Sequence, residues 1–373
     1  MRIGLLGFGS MGRTHSYAVA NLPFFFGNLP FQAEVAGVCT RNPANARAAA
    51  ETFGFKRVYE TEDEMIMDTD LDIIDICTPN VCHYETILKA ANAGKHIYCE
   101  KPLCVTYAQA REAAALAAEK KVTAQVVFNN RWLAPVMRAK ELIDGGRLGD
   151  ILSFRAAYLH ASCADPEKKA GWKQNSDICG GGVLFDLGSH VIDLIYFLCG
   201  EFAEVSGFGK IAYPVRKGMD GNEWRTNADE AFYMLAKLRS GASGTLEANK
   251  ITVGTNDDLS FEIYGTKGAV RFELMEPNWL WFYDTADAAG EMGGDRGFKK
   301  LECVGRYPAP GGIFPGVKAP AGWLRGHLTS MYSFLSAVQE GRQASPSFAD
   351  AAHVQRVMEA AYAADRLGTW EKI

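Results

Sequence analysis

The run Gly180-Gly181-Gly182-Val183-Leu184-Phe185-Asp186-Leu187-Gly188-Ser189-His190-Val191-Ile192-Asp193 is where residue types and spacing could do chemistry. Asp186, His190 and Asp193 recur at i, i+4 and i+7, which predicts one polar stripe on one helix face. The positions around them are apolar, and a helix that is apolar nearly all round is buried. Buried carboxylates and imidazoles need partners, so the stripe must face a site or an ion-paired network. Proton transfer is the chemistry open to such a stripe. Gly180 to Gly182 are expected to loosen the helix start and let a ligand approach the backbone. A metal on Asp186 and His190 would lack a nearby third ligand, so no metal is expected.

A second pattern lies at the beginning. Gly7-Phe8-Gly9-Ser10-Met11-Gly12 is a G-x-G-x-x-G between an expected strand and an expected helix. Gly7 permits the tight turn, Gly9 admits a pyrophosphate and Gly12 allows close helix–strand contact. The free N–H groups and the dipole of the helix then hold the phosphate charge. This predicts a nicotinamide dinucleotide. No carboxylate follows the second strand to take a ribose 2′-hydroxyl; Thr40 and Arg41 stand there instead, which favours a 2′-phosphate and hence NADP over NAD. Glu100-Lys101-Pro102 follows another expected strand, at the sheet edge where ligands of such folds bind. A lysine beside a nicotinamide could stabilise a developing alkoxide; the plainer alternative is a surface lysine before a turn proline.

These groups need a scaffold. The first third alternates short apolar runs with helical stretches, the pattern of βαβ units. Strands are expected at Arg2–Gly7, Glu34–Cys39, Asp72–Cys77, His96–Cys99 and Thr123–Phe128. Helices are expected at Met11–Leu22, Pro43–Phe53, Val81–Ala93 and Ala108–Lys120. The fold class is α/β: a doubly wound parallel sheet of six strands over residues 1–128. Residues 129–373 read as an α+β domain on an open, mostly antiparallel sheet. Its strands are expected at Ile151–Leu159, Phe202–Gly207, Ala231–Leu238, Gly241–Asn249, Leu259–Gly265 and Gly268–Phe272. Gly265-Thr266-Lys267-Gly268 reads as a hairpin loop. Helices are expected at about Gly182–Leu198, at Gly326–Gln339 and at Ala349–Asp365, the last able to pack back on the first domain. The Gly/Pro-rich stretch 307–322 is expected to be a long loop.

Composition narrows the partners. The chain has 373 residues, 48% hydrophobic and 22% charged, with 39 Lys and Arg against 44 Asp and Glu for a net charge of −5. No strong field attracts nucleic acid or an anionic membrane. No apolar run approaches the length of a spanning helix, the greasiest segment being Val191 to Cys199 with Asp193 inside it. The nine cysteines include no C-x-x-C pair and read as reduced thiols. Leu5-Leu6 and Ala18-Val19-Ala20 imitate a signal peptide, but Gly7, Gly9, Ser10, Gly12, Arg13 and His15 break it, so a cytoplasmic protein is expected.

Taken together, the glycine turn, Thr78-Pro79-Asn80-x-x-His83, Glu100-Lys101-Pro102 and Gly181-Gly182-x-Leu184-x-Asp186-x-Gly188-x-His190-x-x-Asp193 resemble the glucose–fructose oxidoreductase, inositol dehydrogenase and rhizopine-catabolism (Gfo/Idh/MocA) family along the whole chain. The resemblance implies a Rossmann domain plus an open-faced α/β domain, NAD(P), a sugar or polyol substrate, and a homodimer or homotetramer. It implies Lys101, Asp186 and His190 as the catalytic set, a set that must converge beside the nicotinamide. Thr78, Pro79, Asn80, His83, Glu100 and Asn129 are expected to border the cofactor. Arg131, Trp172 and Lys173 are expected to border the substrate, although Arg131 equally suits a domain-interface ion pair and Trp172 a buried anchor, with Asn130, Trp323, Arg325 and His327 as weaker candidates. The leading expectation is a sugar, glycoside or cyclic-polyol dehydrogenase. The alternatives are a redox-assisted lyase or glycosidase that recycles its NAD, and a nucleotide sensor without catalysis.

Overall fold

A computed structural model describes residues 1–304, 314, 316, 319, 320 and 322–373, so most of the expected loop 307–322 lies outside the described residues. The chain forms two compact units, the first from Met1–Asn129 with Trp323–Gln355, the second from 130–304 with Arg356–Ile373.

In the first unit β1 (Arg2–Leu6), α1 (Ser10–Phe26), β2 (Glu34–Cys39), α2 (Pro43–Phe53), β3 (Arg57–Tyr59), α3 (Glu62–Met67), β4 (Ile73–Ile76), α4 (Asn80–Asn92), β5 (His96–Cys99), α5 (Tyr107–Glu119) and β6 (Ala124–Val126) alternate. The strands form one parallel sheet in the order β3-β2-β1-β4-β5-β6, the doubly wound arrangement. The five strands placed from sequence lie within two residues of their expected ends; β3 and α3 were not placed. The local reasons are visible. Asn42 caps α2 by accepting the Ala44 N–H at 3.0 Å, Pro43 opens it, and Gly54 closes it in the left-handed conformation. α1 overruns its expected end at Leu22, passing through Pro23, and the Gly27 N–H closes the last turn on the Pro23 carbonyl at 3.1 Å.

α9 (Trp323–Gln339) belongs to this unit and packs on α1. Leu328, Met331, Phe334 and Leu335 join Ile3, Val19, Leu22, Ile73 and Tyr98 in one buried cluster. At about 1.5–3 kcal/mol per large buried side chain, this face supplies much of the force that holds β1 and α1 in place.

The second unit contains α6 (Ala134–Asp144), β7 (Ile151–Leu159), α7 (Ser176–Cys179), α8 (Ser189–Cys199), β8 (Phe202–Lys210), β9 (Val215–Lys217), β10 (Glu223–Arg225), β11 (Ala231–Leu238), β12 (Ser243–Asn249), β13 (Asp258–Gly265), β14 (Gly268–Glu273), β15 (Trp279–Asp284), β16 (Lys299–Glu302) and, after α10 (Phe348–Leu367), β17 (Glu371–Lys372). Nine strands form a sheet in the order β16-β15-β14-β13-β7-β12-β11-β8-β17. Every pair is antiparallel except β12 with β7. β9 and β10 form a separate hairpin. Thr266 and Lys267 turn β13 into β14 as expected.

Two expectations are corrected here. The helical run Ser176–Cys199 is long and apolar enough by composition to cross a membrane, contrary to the sequence reading; with 78% of its apolar window buried inside the protein, it is a core helix of this unit. The run is also irregular. Leu184–Gly188 forms a wide i→i+5 turn before α8 begins, so the regular helical spacing that put Asp186, His190 and Asp193 on one face fails between the first two.

Candidate active site

In the first unit the glycine turn meets the requirements of a phosphate cradle. Gly7 has φ +90°, and a Cβ there would lie 2.5 Å from the Cys77 carbonyl oxygen. A Cβ on Gly12 would lie 2.3 Å from the Gly7 carbonyl oxygen, whereas one on Gly9 would meet nothing within 4 Å. α1 starts at Ser10 with no side-chain cap and no acidic residue in its first turn, which leaves its N-terminal amides to an anion. The turn therefore fits a dinucleotide diphosphate. Its glycines are separable by experiment. Gly12→Ala is expected to cost about 1–3 kcal/mol through overpacking and to lower the melting temperature. Gly9→Ala is expected to melt like the wild type yet weaken NADH binding at least about tenfold, or about 1.4 kcal/mol, in a fluorescence titration.

The remaining cofactor candidates divide by exposure. Phe8 and Met11 are half-buried at the turn, Ser10, Arg41 and Pro79 are exposed, and Thr40, Thr78 and Lys101 are half-buried. Asn80 and Asn129 are buried. His83 has no exposed surface; its Nδ1 lies 3.0 Å from the Pro102 carbonyl oxygen and its Nε2 lies 2.9 Å from that of Thr78. Burial lowers its pKa against those two contacts, and the ring lies between the two turns. Glu100 is also buried and turns inward, its Oε1 lying 3.1 Å from His15 Nε2. Trp323, Arg325 and His327 fall at the start of α9. There the Arg325 guanidinium lies 4.8 Å over the Phe25 ring and Trp323 packs edge-on against His327 at 4.3 Å.

In the second unit Asp186 is the hub. Its carboxylate accepts from Lys173 Nζ at 2.9 and 3.0 Å and pairs with Lys250 Nζ at 2.6 Å. Lys173 stands on an exposed turn beside Trp172, its ammonium 5.6 Å from that ring. Lys250 is buried at the end of β12, a residue that sequence reading missed. Burial works against its charge, but the Asp186 carboxylate holds its pKa above the ordinary lysine value. His190 is buried as the second residue of α8, with the Tyr158 ring edge-on at 5.8 Å. The Tyr158 hydroxyl donates to Asp257 at 2.5 Å, and His160 Nε2 lies 3.0 Å from the same oxygen.

Asp193 and Arg131 have another role. Arg131 Nε lies 3.1 and 2.9 Å from the two Asp193 oxygens and Nη2 lies 2.5 Å from one of them, with both side chains buried. The third member of the polar stripe thus pairs with Arg131, for which sequence reading left open a place on the substrate or in an ion pair. Asn130 beside it is buried too.

The glycines at 180 to 182 are required by the fold itself. Gly180 ends α7 with φ +83°, and a Cβ on Gly181 would lie 2.6 Å from the Phe185 ring. A Cβ on Gly182 would lie 2.2 Å from the Asp229 backbone. Asp229 accepts the Gly182 and Leu184 N–H groups at 3.0 and 3.2 Å and the Tyr362 hydroxyl, and so supplies the cap that the helix start requires.

Comparison with known proteins decides the family. Residues 1–128 match the oxidoreductase family with an NAD-binding Rossmann fold, and residues 136–271 match the GFO/IDH/MocA C-terminal domain. The chain belongs to the Gfo/Idh/MocA family of oxidoreductases. This oxidoreductase is 33% identical to the levoglucosan dehydrogenase of Pseudarthrobacter phenanthrenivorans over 96% of its own length and 95% of the relative's. It is 27% identical to the glucose-6-phosphate 3-dehydrogenase of Bacillus subtilis over 96% and 94%. A solved levoglucosan dehydrogenase in complex with NADH and levoglucosan superposes with a TM-score of 0.96 at 32% identity, covering 100% of this chain and 99% of that one. The oxidoreductase therefore uses a nicotinamide dinucleotide. The preference for NADP read from Thr40 and Arg41 finds no support: the matched domain is NAD-binding. The Thr40 hydroxyl donates to the Asn42 carbonyl at 2.7 Å, within its own turn.

Proposed function

We propose that this oxidoreductase transfers a hydride between NAD and a ring carbon of a neutral sugar, glycoside or cyclic polyol. The observation that carries the reading is the Asp186 hub, a carboxylate held between a buried and an exposed lysine in the helical run that also bears His190. The named activity of the full-length levoglucosan dehydrogenase supports the same substrate class. When bound, the nicotinamide ring supplies a hydride acceptor. The Gly7–Gly12 amides would hold its diphosphate, with Thr78, Pro79 and Asn80 bordering the turn.

His190 takes the proton of the reacting hydroxyl, and Lys101 stabilises the alkoxide that forms. Asp186 orients His190 and keeps an anion beside it. Lys250 and Lys173 together fix that anion, and Lys173, on its exposed turn, has a further N–H to offer a substrate hydroxyl. The same reading makes the protein cytoplasmic and self-associating. The partly exposed sheet face around Phe208, Tyr233 and Leu235 supports the second point, to be checked by light scattering.

The test is a panel of levoglucosan, glucosides, glucose 6-phosphate and inositols with NAD or NADP, read at 340 nm. Net reduction of NAD by a neutral ring substrate is expected, with kcat/KM for NAD at least about tenfold above that for NADP, or about 1.4 kcal/mol. Equal or better use of NADP removes the cofactor assignment. Product without net reduction favours the redox-assisted lyase. A panel with no turnover refutes the substrate class.

A further inference from the structure

Asp75 stands in the middle of β4, Ile73-Ile74-Asp75-Ile76, with no exposed surface. A carboxylate in a strand buried on both faces needs a partner. That partner is His15, from the second turn of α1, whose Nδ1 lies 2.9 and 3.1 Å from the two Asp75 oxygens. His15 Nε2 lies 3.1 Å from Glu100 Oε1, and Glu100 Oε2 accepts the Lys101 backbone N–H at 3.2 Å. Both ring nitrogens face carboxylates, and only the protonated imidazole donates from both.

The other polar or titratable groups around the ring are Cys77 Sγ at 3.1 Å from Nδ1, Tyr98 edge-on at 5.1 Å, and His327 of α9 with ring centroids 6.1 Å apart. Burial alone would discharge the imidazole, but Asp75 and Cys77 reverse that and raise its pKa well above the ordinary histidine value. Burial likewise pushes Glu100 up, and the hydrogen bond from His15, with the His15 and Lys101 charges, brings it below the ordinary glutamate value. The ligand atoms of His15, Asp75 and Cys77 lie within 4.8 Å of one another, as a metal site would require. A ring that donates from both nitrogens has no lone pair to offer, however, and burial pushes the Cys77 thiol away from thiolate.

Charges therefore alternate along one path: Asp75 negative, His15 positive, Glu100 negative, Lys101 positive. We propose that His15 is a positioning residue for the reaction, acting on Lys101 through Glu100. By sharing the Glu100 charge, the imidazolium weakens the pull of that carboxylate on the Lys101 ammonium. It also fixes the oxygen on which the Lys101 backbone rests. One side chain thus ties the helix of the glycine turn, the end of β4 and the lysine turn together. This rests on the reading that Lys101 serves the chemistry, and it adds a group that the glycine-turn motif does not include.

The test reads Lys101 directly, by competitive labelling with trace acetic anhydride across pH 7–11 and peptide mass spectrometry. His15→Gln is expected to raise the protonation midpoint of Lys101 by about one pH unit, Glu100→Gln to lower it by about as much, and the double variant to return it close to the wild type. With the best substrate of the panel, kcat is expected to fall about tenfold in His15→Gln with little change in KM, and to recover in the double variant. A purely structural His15 would make the double variant worse than either single one. NADH titration and melting curves confirm that each variant folds.

Midpoints that stay together in the folded variants, or single effects that merely add in the double, overturn the proposal. Lys101→Ala separates the two readings. If it is inactive while the midpoints do not move, only the role of His15 fails; if it turns over like the wild type, the role of Lys101 fails first and that of His15 with it.

Discussion

His190→Ala is expected to lower kcat by about 10²–10⁴-fold, the usual contribution of a positioned general base, while NADH binds as in the wild type. The imidazole belongs to the second residue of α8, in the second unit and buried against the edge of the Tyr158 ring, whereas the glycine turn proposed to hold the diphosphate belongs to the first. Its removal deletes a proton acceptor from the second unit and leaves the sequence of the glycine turn unchanged. Steady-state rates at 340 nm and a fluorescence titration of NADH read the two halves separately. A kcat within about twofold of the wild type would show that the hydroxyl proton leaves by another route, because a lost base cannot be that silent. A large loss of NADH affinity would instead place the histidine on the cofactor. Lys101→Ala is expected to behave the same way, since the alkoxide it stabilises forms only as the proton departs.

Much of this site was legible because it breaks local rules. Asp186 and His190 stood out as polar groups in an apolar helix, and the glycine turn stood out because three glycines between strand and helix have few other uses. The sheet of the first unit was readable for a related reason. Strands buried on both faces run continuously apolar, and Gly or Pro punctuates their ends. β3 escaped because Arg57-Val58-Tyr59 is too short to show any period. β15 escaped because Trp279-Leu280-Trp281-Phe282-Tyr283 hides a strict in-and-out alternation behind uniformly large side chains.

What sequence could not yield were partners set by topology. Lys250 reaches Asp186 because β12 packs against the Leu184–Gly188 turn, a contact between segments far apart in the chain. His15 was visible, but as a residue that spoils a signal peptide, and its meaning depends on Asp75 and Glu100 from two other strands. The polar stripe misled in part because one wide turn at Leu184–Gly188 shifts the helical register.

Asp193→Ala is expected to destabilise the second unit by about 3–5 kcal/mol, because it strands the Arg131 guanidinium in the interior without its carboxylate. Only 4% of the Arg131 side chain and 1% of that of Asp193 are exposed, so water cannot replace the lost partner. Phe197 lies 4.8 Å beneath the guanidinium and offers a face but no hydrogen-bond acceptor. For a unit of this size the melting temperature should fall by about 6–20 °C, measured by circular dichroism. Replacing both members, Arg131→Met with Asp193→Leu, should recover most of that loss, since an apolar pair of similar volume removes both charges together. Activity of the double variant then decides what the arginine is for. If Arg131 only braces α8 behind His190, kcat/KM stays near that of the wild type once the fold is restored; if it also binds substrate, stability returns and turnover does not.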